Sequence, residues 1–289
     1  MEDSTNPTFV RGRHSGFSLV ELLVVIAIIA ILIALVLVSV ANLQSSARLM
    51  QCMSNQHQLQ VGLVSFSQDN NGKFMSPQSQ WPPPSGFNQA LIDRDSFWVK
   101  SYNCTATNPD EPCNGDRILG SGSDAAETDL AIKEGALWDY IGDLKTFSSP
   151  LDPSERVRSY SLNGFISDLP DNPQSNPNAA WGPTVDRISK VRNPSNTFYT
   201  IPEQDPGSNY NRGGWVIDLN PSNGLRWKDV PAFWTDDGRY ALSFIDGSSR
   251  IAQVLNPDLP EILTQNELPV STPTKLDFDQ LAEWLDPTE

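Results

Sequence analysis

The chain has 289 residues, with 35 acidic against 20 basic side chains, a formal charge of −15 and a pI near 4.4. Such an acidic balance argues against nonspecific binding to phosphate backbones, which requires a positive surface. With only 2 histidines and 3 cysteines, there is almost no material for a His-based catalytic triad, a His-rich metal site or a four-cysteine zinc cluster.

The first element is apolar. Residues 22–41 read LLVVIAIIAILIALVLVSVA, a run of 20 residues with one hydroxyl and no charge. As a helix it covers about 30 Å, the thickness of a bilayer's hydrocarbon core. No second run of comparable length follows, so a single anchor near the N-terminus is expected. A secretory signal has a shorter core of roughly 7–15 residues before a small-x-small cleavage site. Ser39-Val40-Ala41 could serve as that site, but the run is too long. A plain signal anchor explains the length and leaves Glu21 without a reason, since an acid costs about 2.5–3.5 kcal/mol at the centre of a membrane helix and less near its end. A carboxylate in that place needs a partner.

The residues before the run supply one. Gly16-Phe17-Ser18-Leu19-Val20-Glu21, continued by the apolar run, closely resembles the prepilin-type cleavage and methylation motif of type IV pilins and type II secretion pseudopilins. The resemblance implies a prepilin peptidase that cuts between Gly16 and Phe17 and methylates the Phe17 amine. It also makes Glu21 the assembly carboxylate that pairs with the amino terminus of a neighbouring subunit. The chemistry agrees: Gly16 gives a protease unobstructed access to the backbone, and a carboxylate near a cation gains far more at low dielectric than in water. Further implied partners are other pilin or pseudopilin subunits, the inner membrane, an assembly platform and a separate ATPase, as this chain has no GxxxxGK[ST] loop. Arg11 and Arg13 precede the run and only Arg48 follows it closely. That bias puts the leader in the cytoplasm and the large domain in the periplasm.

Four segments follow: a cleaved leader at 1–16, a transmembrane or filament-core helix at 17–41, its amphipathic continuation at 42–72, and a periplasmic domain at 73–289. In the continuation Leu49, Cys52, Leu59, Leu63 and Phe66 recur at spacings of a single helical stripe, and Asp69-Asn70-Asn71-Gly72 is a helix stop. Residues 73–129 are rich in Pro and Gly and read as a surface insertion. A short helix is expected at 134–140. Strand-like runs follow at 159–166, 196–201, 215–219 and 240–244, the last paired with 250–255 through Asp246-Gly247-Ser248-Ser249. Phe278, Leu281 and Leu285, with Trp284 alongside, predict a final amphipathic helix. The fold class is α+β and pilin-like: a long N-terminal helix packed on an antiparallel sheet with loop-rich insertions.

A second resemblance covers this domain. The segments 140–147, 150–153, Ser159-Tyr160-Ser161-Leu162-Asn163-Gly164 and Phe244-Ile245-Asp246-Gly247 look like a large bacterial pseudopilin-like family whose C-terminal domain has no assigned function. Its members usually carry a histidine followed, after nine intervening residues, by Asp-Gly, and that histidine position is held here by Asp236. They also often pair a cysteine of the helix with one just before Pro-x-Asp-Pro, where this chain has Ser149. Cys52 is therefore expected as a reduced, buried thiol. Cys104 and Cys113 flank a loop with two prolines and, in an exported domain, are expected to form a disulfide.

No cofactor is required by this reading. Asp236, Asp237 and Asp246 are weak calcium candidates if the hairpin draws them together, calcium being an ion that some secretion pseudopilins bind. Without an EF-hand spacing, solvated turn carboxylates are the simpler account. The expected function is that of a non-enzymatic structural subunit of a type II secretion or type IV pilus-like fibre. The alternative is a membrane-anchored binding module for carbohydrate or protein, motivated by Trp181, Trp215, Trp227 and Trp234, against which stands burial of those rings in the core.

Overall fold

A computed structural model describes residues 18–77, 80–81, 94–102, 129–154, 156–169, 176–204, 214–224, 226–265 and 275–288. The chain divides into two compact units, Met1–Ser46 and Ala47–Glu289. Helix α1, Leu19–Asp69, begins in the first and ends in the second. It stops where the sequence says it should: Asn71 and Gly72 take left-handed φ values of 57° and 80°, a conformation that these two residue types tolerate and that ends a helix.

In the second unit, the stripe of Leu49, Cys52, Leu59, Leu63 and Phe66 is buried. Strands β1 (Gln80–Trp81) and β2 (Ser101–Tyr102) form a separate short parallel pair; the stripe faces an antiparallel sheet made of β3 (Tyr160–Leu162), β4 (Phe198–Gln204), β7 (Val230–Pro231), β8 (Arg239–Phe244) and β9 (Ser249–Gln253), in the order β3-β4-β8-β9 with β7 also on β4. The sheet splits along β4. Phe198 and Thr200 pair with Phe244 and Ser243 of β8 across an irregularity, whereas Glu203 and Gln204 pair with β7 instead. Polar residues of α1 fill the resulting gaps. Gln56 Nε2 donates to the Ala241 carbonyl at 2.7 Å and its Oε1 accepts from the Thr200 hydroxyl at 2.9 Å. Gln60 reaches the Ile245 carbonyl at 3.2 Å, and Asn55 reaches the carbonyls of Lys145 and Ser148. Buried amides are stable only when paired in this way.

The opposite face of the sheet is covered by α4 (Leu259–Gln265) and α5 (Leu276–Leu285), whose Leu259, Leu263, Phe278, Leu281 and Leu285 join Phe198, Leu242, Phe244 and Ala252 in one core. Asn163 fastens that layer, its Nδ2 donating to the carbonyls of Phe198 and Leu285 at 3.0 and 2.9 Å. The short antiparallel pair β5 (Ile217–Asp218) and β6 (Arg226–Trp227) adds Trp215 and Trp227, stacked edge-on at 6.5 Å.

The arrangement is the expected α+β one, with corrections of detail. The single helix expected at 134–140 is instead two, α2 (Asp129–Lys133) and α3 (Trp138–Ile141). Gly135 lies between them so close to the Trp98 carbonyl that a Cβ would sit 2.2 Å from it. The segment expected as a surface insertion contributes Phe74, Met75, Phe97, Trp98 and Val99 to the core. Local Pro and Gly content reports backbone irregularity, and irregular backbone can still bury its side chains.

Candidate functional site

Unit one holds the membrane-active chemistry. From Leu19 to Val36 every side chain is exposed, and this stretch is long and apolar enough to cross a bilayer. Its one charged member, Glu21, is tied to Ser18. The carboxylate Oε2 accepts from the Ser18 backbone N–H at 2.8 Å and from its hydroxyl at 2.9 Å, while the Ser18 Oγ accepts from the Glu21 N–H at 3.2 Å. This is a reciprocal capping box, Ser-x-x-Glu, that satisfies two donors otherwise orphaned at a helix start. The signal lies in Ser18-Leu19-Val20-Glu21, where the carboxylate has a partner three residues away in its own helix. Gly16 and Phe17, the expected cleavage site, lie outside the described residues.

In the second unit, Cys52 is buried and unpaired as a thiol. Its Sγ lies 2.8 Å from Ser149 Oγ. Burial pushes the Cys52 thiol up from its ordinary pKa, with the hydrogen bond to Ser149 opposing in part. Burial likewise raises the neighbouring Tyr160 phenol well above its ordinary value. The group is neutral and sealed, the opposite of the electropositive, accessible setting that activates a thiol. Cys104 and Cys113 fall outside the described residues.

The calcium candidates are not brought together. Asp236 and Asp237 sit in the turn before β8 and Asp246 in the turn after it, so the full strand Arg239–Phe244 lies between them. Each turn uses its carboxylate locally. Asp237 pairs with Arg239 Nε at 2.5 Å, and Asp246 Oδ1 accepts from Ser248 N and Oγ at 2.9 and 2.7 Å. Asp236 is exposed. Among the described residues no group of three or more His, Cys, Asp or Glu side chains is placed to hold a metal ion.

The four tryptophans do not form a platform. Trp215 and Trp227 are fully buried. Trp181 is half-buried with the Lys228 ammonium 3.4 Å from its ring centroid, and Trp234 is half-buried with the Arg156 guanidinium 5.6 Å away. Their role in the described structure is packing and cation–π contact.

Residues 11–37 match the prokaryotic N-terminal methylation motif. Comparison with curated proteins and with solved structures yields no match. The matched stretch spans the basic flank, Gly16, Phe17, the capping box and the greater part of the apolar run.

Proposed function

From the premise that this N-terminal segment is a prepilin-type cleavage and methylation motif, making the chain a type IV pilin or pseudopilin-like protein, we propose that it is a structural subunit of a type II secretion or pilus-like fibre. The prepilin peptidase cuts between Gly16 and Phe17 and methylates the new amine. The apolar part of α1 holds the precursor in the inner membrane, leader inside and domain in the periplasm, and later packs with its counterparts in the fibre core. Assembly platform and ATPase are supplied by other chains. The single observation that carries this reading is the motif match at residues 11–37.

The capping geometry adds a step to it. In the isolated chain the Glu21 carboxylate is satisfied by Ser18 of its own helix. To meet the amine of a neighbouring subunit it must exchange or share those donors for a cation. The Ser18 donors meet the carboxylate as dipoles, whereas the amine of a neighbour brings a full opposite charge, and at low dielectric an ion pair gains more than a charge–dipole bond, which gives the exchange its direction. A lone subunit therefore tolerates its membrane carboxylate, and an assembled one uses it for register.

The experiment is the mass of the mature N-terminus from native membranes. A start at N-methylated Phe17 is expected. A start at Met1 or at Asn42 would overturn the reading, because either leaves the motif unprocessed as such and Glu21 without a neighbouring amine.

A further inference from the structure

We propose that the free edge of β9 is a docking site for an extended segment of another polypeptide, apolar at alternate positions and carrying basic side chains, which adds to the sheet as a further strand. Strand β9 pairs with β8 in unbroken register over five residue pairs, Arg239 with Gln253 through Ser243 with Ser249. Two hydrogen bonds fix which residues face β8: Phe244 N to the Ser248 carbonyl at 2.8 Å and Val254 N to the Gly238 carbonyl at 3.0 Å. The even-numbered residues therefore bond β8. Ser249, Ile251 and Gln253 turn their N–H and C=O groups outward, and among the described residues no strand pairs with that side.

Exposed edges are ordinarily blunted by an outward charge, a proline, a bulge or a covering element. No proline or bulge interrupts β9, and its one charge, Arg250, is folded back over the Phe244 ring at 4.1 Å and bonded to Asn196 Oδ1 at 3.3 Å instead of guarding the edge. Between polar Ser249 and Gln253 the edge exposes one large apolar side chain, Ile251. Outside α1, the large hydrophobic side chains exposed among the described residues are Ile251, Leu255 and Leu276. Ile251 is on the edge and Leu255 continues it. The Leu255 N–H donates to Asp277 Oδ1 at 2.7 Å, which brings Leu276, the residue before Asp277, to the same end. A row of backbone groups that no strand pairs, with exposed apolar side chains at and beyond it, is the geometry by which sheets accept peptide strands.

Charge decides the occupant. Exposed Asp258, Glu261, Asp279 and Glu283 lie on α4, α5 and the turn before α4, and Lys275 is the one base among the described residues from 254 to 288. Glu283 is linked to β9 itself, accepting from Asn196 Nδ2 at 2.9 Å while Arg250 donates to Asn196 Oδ1 at 3.3 Å. A second copy of this chain, at net −15, would set its own acidic flank against this one. A segment with Lys or Arg gains from the same field.

Neither cleavage at Gly16 nor fibre assembly enters into this edge, so it is tested separately from the proposed function. The probe is a capped peptide, Lys-Val-Thr-Val-Lys-Val-Thr-Val-Lys, added to the full chain in detergent micelles, with amide hydrogen exchange read at Ser249, Ile251 and Gln253. All three amides slow on addition. The same peptide N-methylated at alternate backbone nitrogens has no effect, and a version with Glu for Lys binds about tenfold more weakly. Ile251→Lys weakens the parent peptide by about tenfold, whereas Val61→Lys on α1 does not. Exchange unchanged by millimolar peptide overturns the proposal, whatever the variants do. So does protection already present without peptide and rising with protein concentration, which assigns the edge to a second copy.

Discussion

The Cys52 thiol and the Ser149 hydroxyl meet at 2.8 Å although 97 positions separate them in the chain. They join the inner face of α1 to the turn after the 3-10 segment Leu144–Phe147. The contact puts the end atoms of the two side chains side by side, so a cysteine at 149 places a second sulfur against Cys52. Ser149→Cys is therefore expected to oxidise with Cys52 in an oxidising compartment, closing a loop of about 100 residues and stabilising the second unit by about 2–4 kcal/mol. Peptide mass spectrometry identifies the bond, and reductant should abolish the gain in Tm. A variant that stays reduced under air oxidation would show that the two Cβ positions are wrongly angled for a bond.

Alkaline pH should unfold the second unit cooperatively. Burial raises the Cys52 thiol and the phenols of Tyr160, Tyr199 and Tyr240 above their ordinary values. In the unfolded chain these groups ionise near pH 8.5 for the thiol and about 10 for phenols, so above those values the unfolded state loses protons that the folded state keeps. Stability is complete below the unfolded pKa values and falls as pH rises through them toward the folded ones. Of the 6 tyrosines, these three should show tyrosinate absorbance only in step with loss of near-ultraviolet circular dichroism. Independent ionisation of all six before unfolding would contradict the burial.

Elements whose logic is local were legible in the sequence. The stripe from Leu49 to Phe66, the stop at Asn71-Gly72, the β8–β9 hairpin and the helix around Phe278, Leu281 and Leu285 all follow from spacing or turn chemistry over a few residues. Asn55, Gln56 and Gln60 were not legible, because an amide on a helix reads as a solvent position until the tertiary fold brings free carbonyls to it: those of Lys145 and Ser148 for Asn55, of Ala241 for Gln56 and of Ile245 for Gln60. Asp236, Asp237 and Asp246 failed for a related reason: turn residues were identified correctly, but the strand between them fixes their separation. At the candidate site the pattern was visible and its competing local meaning was missed. Ser-x-x-Glu is a capping box whatever else Glu21 does.

Gln56→Leu should destabilise the second unit by about 1–3 kcal/mol, the cost of leaving a buried carbonyl and hydroxyl unpaired. The leucine has a similar volume and greater hydrophobicity, so packing alone forecasts a neutral or stabilising change. Thermal or denaturant unfolding separates the two accounts. The Thr200 hydroxyl also meets Ser243 Oγ at 2.6 Å, so most of the loss should come from the Ala241 carbonyl. A double variant with Thr200→Val should add little to it, and a fully additive second loss would place the main interaction at Thr200 instead.

Ser18→Ala removes the hydroxyl that both donates to Glu21 and accepts from its N–H. Loss of an N-cap of this kind costs about 0.5–2 kcal/mol of helix stability, and here it is confined to the first turn of α1. In micelles the amides of residues 19–22 should exchange faster while those beyond Val25 are unchanged. Ser18→Thr keeps the oxygen and should restore the parent pattern. Glu21→Gln retains an acceptor for the Ser18 N–H but no charge. It should therefore hold the first turn better than Ser18→Ala does, yet lose any dependence of subunit association on the Phe17 amine. If Ser18→Ala leaves first-turn exchange at the parent rate, the helix start is held by something other than this pair, and Glu21 is available to a neighbour from the outset.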